Sequence, residues 1–420
     1  MDLLDLFLKY PSICTDTRKI KKGDLFFALK GNNFNGNQFA QKAIEAGASY
    51  AIIDEEQYVS DYSILVKDVL TSLQNLATAY RKHLDIPVIA VTGSNGKTTT
   101  KELITRVLAK KYSIFSTAGN LNNHIGVPLS ILSIEKNCEI AVLELGANHL
   151  HEIEILCEIA KPDYGFITNC GMDHLEGYGS IEGVIKGSAE LFEFFNKNGG
   201  TAFINKEDQT IVTLKSILDK DKTQTISYPS QIKIAHNNFY LQLIYKDTIE
   251  INTHLIGDYN FSNVACAVAI GEYFKVEDVA IKEAIESYVP QNNRSQVVEK
   301  NGAKVILDAY NANPSSMELA VRNFSNISAA QKIVILGDMF EMGHYAAEAH
   351  HKMVELVLSL DFDTCIFCGE EFYKHQKTGN SLFFKTRDEL KNWFEKQNFA
   401  GTTLLLKGSR GMALEKLILE

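Results

Sequence analysis

Apolar residues in this chain recur as short runs separated by longer stretches with helical spacing. The runs are LFFAL at 25–29, YAIID at 50–54, VIAV at 88–91, EIAVLE at 139–144 and DYGFITN at 163–169. After a gap come KVILDAY at 304–310, KIVILGD at 332–338, TCIFCG at 364–369 and TTLLLKG at 402–408. Runs this short, bounded by turn residues, read as strands. The stretches between them read as helices, including 38–46, a helix from Ser315, one around His350 and a closing helix after 408. In the segment after Lys97, the residues Leu103, Ile104, Val107 and Leu108 share one helical face. Strand and helix in alternation predict an α/β fold on mainly parallel sheets. Three regions separate along the chain, at 1–85, 86–292 and 293–420.

Composition narrows the class. At 420 residues, with 45% hydrophobic and 22% charged side chains, the chain has core for two to three globular domains. A net charge of −10 argues against nucleic acid as a partner. No apolar run approaches the roughly 18 residues of a membrane span. The N-terminus, MDLLDLFLKY, carries acids where an export signal needs bases. Seven scattered cysteines fit a reducing compartment, so the expected location is cytoplasmic. Cys365 and Cys368 lie three apart in a strand, which puts them on opposite faces as core residues rather than metal ligands. His149, His151, His350 and His351 lack a ligand framework and are expected on the surface.

The densest chemistry lies in PVIAVTGSNGKTTTKELITRVLAKK at 87–111. A strand, a loop of small residues and a helix start make a phosphate cradle. Gly93, Ser94, Asn95 and Gly96 can bring backbone N–H groups to phosphate oxygens, followed by Thr99 in the first helical turn. Lys97 supplies a point charge, and the Thr98 hydroxyl can ligate Mg²⁺. The pattern is a shortened phosphate loop, since Val91 stands where the full motif has its first glycine. Functional groups of parallel sheets gather at the carboxyl ends of strands. Glu144 ends one run and reads as the second Mg²⁺ anchor; His174 follows another and can converge on the metal. Asp308 ends a third, where it either accepts from ribose hydroxyls or caps the turn before Pro314. Lys407, Ser409 and Arg410 read as a basic helix start or a solvated loop.

TGSNGKTTT resembles the nucleotide loop of the Mur ligases, ATP-dependent enzymes of peptidoglycan precursor synthesis. TDTRKIKKGDLFFALKGNNFNG at 15–36 is similar to their UDP-binding N-terminal domain. GNLNNHIGVPLSIL, ELGANHLHEI, HLEGYGS, DAYNANPSSM, LGDMFEMG and KGSRGM follow in order and resemble the last-acting, dipeptide-adding branch. The resemblance implies three domains: a UDP-substrate domain, a central ATPase domain and a Rossmann-like C-terminal domain. It implies ATP-dependent joining of D-alanyl-D-alanine to UDP-N-acetylmuramoyl-tripeptide, with Mg²⁺; nothing in the chain demands more than a monomer. Lys97, Glu144 and His174 would be catalytic, the metal resting on Thr98, Glu144 and His174. By the same resemblance Thr15, Asp16, Thr17, Arg18, Asn32 and Asn33 would hold the UDP end, and Asn122 and Asn123 the peptide. Asn260 and Asn263 would lie by the base, next to Tyr259 where the family often has histidine. Arg294 and Asp308 would close over ATP, and Lys407 and Arg410 would face the substrates.

One departure stands out. The family carries a carbamylated lysine fourteen residues after the histidine, and here that position is Ser188. Lys186, two residues earlier, is turned by about 200° on a helix and is not assigned that role. Either Ser188 holds Mg²⁺ through water, or the backbone shifts, or the enzyme is weakened. A sibling tripeptide synthetase, a phosphate-loop kinase and a non-catalytic nucleotide binder stay open as alternatives.

Overall fold

Three successive sheets of mostly parallel strands follow the alternation of apolar runs. The computed structural model describes residues 2–377 and 379–419, with Asn237 described by its backbone alone. In the first sheet the strands Ile13–Cys14, Leu25–Phe27, Tyr50–Ile53 and Ser63–Leu65 run parallel. The helix Val69–Leu84 follows, its first turn capped by the Asp68 carboxylate accepting from Thr71 N. Its apolar face, including Leu73, Leu76 and Tyr80, joins one core with the helices of the middle region. Its Arg81 is buried, donating to the Ala160 carbonyl and pairing with Asp163 at 2.8 Å.

The middle sheet has six parallel strands in the order Thr223–Tyr228, Gly200–Asn205, Tyr164–Ile167, Val88–Thr92, Ile140–Glu144, Ile114–Ser116. Every residue of Val88–Thr92 is buried, which is why its run is unbroken by polar side chains. Chain order departs to both sides from this strand, so its carboxyl end is the switch point where a ligand crevice forms. The phosphate-loop segment occupies that end, and Leu103, Ile104, Val107 and Leu108 of the helix Lys97–Leu108 are all buried as the spacing requires. A three-stranded antiparallel sheet, Ile232–Asn237, Leu241–Tyr245 and Ile249–Asn252, interrupts the alternation. The helix Phe261–Tyr273 then packs its alanine-rich length into the same core as Lys97–Leu108.

The last sheet places Gln296–Lys300 antiparallel to Ala303–Asp308, followed by Thr403–Lys407, Lys332–Gly337, Thr364–Cys368 and Ser381–Phe384 in parallel. Cys365 and Cys368 enter different cores on its two faces, as predicted.

Two expectations fail here. His350 is fully buried rather than on the surface. It shares a helix face with Met353, Val354 and Val357, accepts from Met339 N at Nε2 (3.0 Å) and turns Nδ1 to the Ala346 carbonyl at 2.7 Å. Those partners fix the neutral Nδ1–H tautomer. The closing helix is present but short, and it does not start at Lys407 to Arg410 as expected. After Thr403–Lys407 come a 3₁₀ turn, Arg410–Met412, and a short helix, Lys416–Leu419, so Lys407 and Arg410 do not open a helix N-terminus.

Candidate functional site

The loop between Val88–Thr92 and Lys97–Leu108 is shaped by two glycines with φ of 119° (Gly93) and 83° (Gly96). A Cβ on Gly93 would lie 2.3 Å from Thr168 Oγ1, and one on Gly96 2.6 Å from Asn263 Oδ1. Both the dihedral and the close approach therefore demand glycine. Asn169, at the end of the neighbouring strand, clasps the loop. Its Oδ1 accepts from Asn95 N at 3.1 Å, its Nδ2 donates to Asn95 O at 2.9 Å, and its carbonyl accepts from Ser94 N. The Lys97 ammonium folds back onto the carbonyls of Gly93 and Ser94.

Thr98 and Glu144 meet as expected: the hydroxyl donates to Oε2 at 2.9 Å, both groups buried. Asn122 donates to Oε1 at 2.9 Å. Lys101, one turn beyond the half-buried Lys97 and itself buried, lies 3.9 Å from Oε2 and donates to the Thr117 carbonyl at 2.6 Å. Thr117 Oγ1 in turn accepts from Glu144 N. A buried ammonium beside a buried carboxylate offsets part of the desolvation cost of both.

His174 sits with φ 48°, and its ring nitrogens approach carboxylates other than Glu144. Nδ1 approaches Glu341 Oε2 at 2.5 Å, and Nε2 approaches Asp173 at 3.6 Å. Burial disfavours the imidazolium, but Glu341 and Asp173 outweigh it and raise the pKa above the ordinary 6.5. The Nδ1 contact lacks hydrogen-bond geometry, so it is a close ion pair across the two lobes. Thr98 and Glu144 fit a divalent cation well: hard oxygens beside a phosphate cradle are what Mg²⁺ takes while keeping several waters. No cluster of three or more His, Cys, Asp or Glu suited to a metal occurs among the described residues. The metal set of the sequence analysis is thus present as a pair, with His174 engaged elsewhere.

The C-terminal lobe closes the cleft. Asn313 donates to Asn95 Oδ1 at 2.9 Å, and Ser315 Oγ accepts from Met172 N. Asp308 neither caps a turn nor stands free: Oδ2 pairs with Lys407 Nζ at 2.6 Å and Oδ1 accepts from Ser295 N at 3.0 Å. The helix Pro314–Asn326 is capped instead by Asn313, in a reciprocal capping box with Ser316. Asn260 and Asn263 are bonded to one another at 2.8 Å behind the loop, and Asn263 accepts from Thr100. Tyr259 approaches Ser295 at 3.1 Å, and burial raises its pKa.

A cavity of about 690 Å³ lies between the lobes. Of the expected residues it exposes Ser94 to Thr99, Asn122, Asn123, Glu144, His174, Asn260, Asn263, Arg294, Asp308 and Lys407. Gly93 and Arg410 do not line it, and Arg410 is exposed. Thr15, Asp16, Thr17, Arg18, Asn32 and Asn33 do not line it; they belong to the first lobe. There Asp16 caps the 3₁₀ turn Thr17–Lys19 and its carboxyl is lowered to about 2 by hydrogen bonds from Arg18. Asn32 and Asn33 are exposed between the two short strands Lys30–Gly31 and Phe34–Asn35. Lys186 is exposed, whereas Ser188 is buried beside Cys170 on the inner side of the helix Ile181–Asn198.

Asn169, Lys101, Asn313, Tyr310 and Glu341 were not singled out from the sequence. Asn313 before Pro314 carried a capping signal; Lys101 carried only its place one turn after Lys97. Tyr310, Glu341 and Asn169 act through contacts distant in sequence, for which one chain gives no signal.

Three family models match in register with these lobes. They are described as Mur ligase family, catalytic domain (residues 9–95), Mur ligase middle domain (91–271), and Mur ligase, glutamate ligase domain (293–410). The UDP-N-acetylmuramoyl-tripeptide–D-alanyl-D-alanine ligase of Bacillus subtilis is 33% identical, over 97% of this chain and 92% of its own. The Escherichia coli enzyme of the same name is 29% identical over 97% and 92%. A crystal structure of MurF from Acinetobacter baumannii superposes with a TM-score of 0.86 at 28% identity, covering 97% and 92% of the two chains. MurF from Thermotoga maritima in complex with ADP superposes with a TM-score of 0.85 at 25% identity, covering 100% and 97%.

Proposed function

The chain belongs to the Mur ligase family, and from that footing we propose that it joins D-alanyl-D-alanine to UDP-N-acetylmuramoyl-tripeptide at the expense of ATP. The observation that carries this reading is the paired Thr98 and Glu144 beside the glycine loop, in a cleft the C-terminal lobe closes. The near full-length likeness to ligases of that name supports it.

A carboxylate resists attack by an amine because oxide would have to leave. The acceptor carboxylate oxygen attacks the γ-phosphorus of ATP, ADP departs, and an acyl phosphate forms. The dipeptide nitrogen then attacks the carbonyl carbon, loses a proton, and the tetrahedral intermediate expels phosphate. Catalysis of the first step is chiefly positioning and charge stabilisation. With the Ser94 and Asn95 N–H groups held by Asn169, those of Gly96, Lys97 and Thr98 bind phosphate oxygens, and Lys97 leaves its own loop carbonyls to reach the terminal phosphates. Thr98 and Glu144 would hold Mg²⁺, which when bound neutralises phosphate charge during transfer. His174 lies on the same cleft and would join a metal only after parting from Glu341. Asn122 and Asn123 line the side toward the acceptor peptide; Asn260 and Asn263 back the nucleotide; Arg294 and Asp308 face it from the closing lobe, where Lys407 and Arg410 face the substrates. Thr15, Asp16, Thr17, Arg18, Asn32 and Asn33 hold the uridine diphosphate end on the first lobe. Residues 1–85, 86–292 and 293–420 act as the three moving parts, in a cytoplasmic monomer. Closure keeps water from the acyl phosphate.

Incubation of the protein with Mg-ATP and the UDP-tripeptide, with and without D-alanyl-D-alanine, tests the reading by product mass. A product heavier by the dipeptide, less one water, supports the ligase. Phosphorylated acceptor unchanged by the amine points to a kinase.

A further inference from the structure

The closing lobe presents two guanidiniums that no carboxylate neutralises among the described residues. Arg294 Cζ lies 3.7 Å over the ring of Tyr310, and Arg410 Cζ lies 5.1 Å from the same ring centroid. Neither guanidinium makes a hydrogen bond or ion pair with a described residue. Holding an arginine by a salt bridge would consume the donors that a ligand needs. An aromatic face holds the cation through its quadrupole and leaves the in-plane N–H donors free.

The backbone around Arg294 is clasped by the same strand end. Asn292, Asn293 and Ser295 have φ of 57°, 57° and 51°, a cluster of left-handed residues without glycine. Such conformations persist only where neighbours over-determine them. Tyr310 N donates to the Asn293 carbonyl at 3.2 Å, and Ser295 N donates to Asp308 Oδ1 at 3.0 Å. Tyr310 therefore fixes Arg294 twice, by its own N–H and by its ring. Both Arg294 and Tyr310 line the cavity that Ser94 to Thr99 of the phosphate loop also line.

We propose that Tyr310 is a positioning residue, whose ring holds Arg294 and Arg410 together as an unpaired dication aimed at the oxyanions of a bound nucleotide. Two like charges gathered on one ring are stabilised when polyphosphate enters between the lobes. The nucleotide is thereby gripped from both walls, by loop N–H groups on one and by guanidiniums on the other. This deepens the ligase reading in assigning the anion to the ATP phosphates.

The test compares Tyr310→Phe, Tyr310→Leu and Tyr310→Met by calorimetric binding of ADP and ATP, and by the KM for ATP against kcat. Phenylalanine keeps the ring and should bind within about 2-fold of the parent. Leucine and methionine, which keep bulk but not the quadrupole, should weaken binding and raise the KM for ATP by about 3- to 30-fold, the range of a partly desolvated cation–π contact. Their kcat should move less than KM. Adding Arg294→Ala to Tyr310→Leu should cost less than it does in the parent, because the two act as one unit. Parent-like ADP and ATP binding by both Leu and Met variants overturns the proposal, as does Phe being as damaged as Leu. A parent that binds ADP but never forms the amide product removes the ligase reading alone, since the binding comparison does not depend on it.

Discussion

The Thr98 hydroxyl donates to Oε2 of Glu144 at 2.9 Å while Asn122 donates to Oε1 at the same distance, so the carboxylate is oriented from both sides. With Lys101 3.9 Å away, its charge is balanced inside the protein before any divalent cation arrives. This preorganisation means that little rearrangement is needed when metal and nucleotide enter together.

Replacing Glu144 with Gln keeps the shape and removes the charge. Phosphate release at saturating substrates should fall by about 10²-fold or more, the scale of losing one electrostatic anchor in phosphoryl transfer. Raising Mg²⁺ should recover part of the loss. A rate within about 3-fold of the parent across a Mg²⁺ titration would take Glu144 out of the metal site.

Lys186 is exposed and Ser188 is buried beside Cys170, two residues apart on one helix. Lys186→Ala is therefore expected to leave kcat and the Mg²⁺ dependence within about 2-fold of the parent. Intact-mass measurement of the active protein should show no carbamate adduct at Lys186. A 10-fold loss reversed by bicarbonate would show that this lysine reaches the metal after all.

Much of this arrangement was legible in the chain because it is local. The apolar run 88–91, the glycines at 93 and 96 and the face formed by Leu103, Ile104, Val107 and Leu108 act within a few residues of each other, where period and turn chemistry are readable. Glu144 was found because a strand end in a parallel sheet has a fixed side. Asp308 was placed correctly at a strand end, yet its partner Lys407 comes from a strand 99 residues later, which spacing cannot reveal. The antiparallel sheet at 232–252 was missed because its short strands mix polar and apolar residues on a half-exposed surface. His350 was misplaced because one polar residue at a helical core position was weighed by its type rather than by its neighbours Met353, Val354 and Val357.

That buried histidine makes a prediction of its own. Burial, opposed by the Ala346 carbonyl and by Asp338, lowers the His350 pKa below 6.5. Above that value the ring is neutral whether the chain is folded or not. Below it the unfolded chain takes up a proton that the folded chain refuses, so stability falls as pH drops, by at most about 1.4 kcal/mol per pH unit. Urea midpoints of parent and His350→Gln at pH 7.5 and 5.5 measure this. The variant should lose less stability than the parent over that interval. An equal loss would show that His350 does not carry the effect.

The central claim is that ATP activates the acceptor carboxylate as an acyl phosphate. An acceptor whose reacting carboxylate is labelled with ¹⁸O tests it most directly. After turnover with Mg-ATP and D-alanyl-D-alanine, the mechanism predicts one labelled oxygen in the phosphate released, because the carboxylate oxygen that attacked phosphorus leaves with it. Amide product accompanied by wholly unlabelled phosphate would contradict the account.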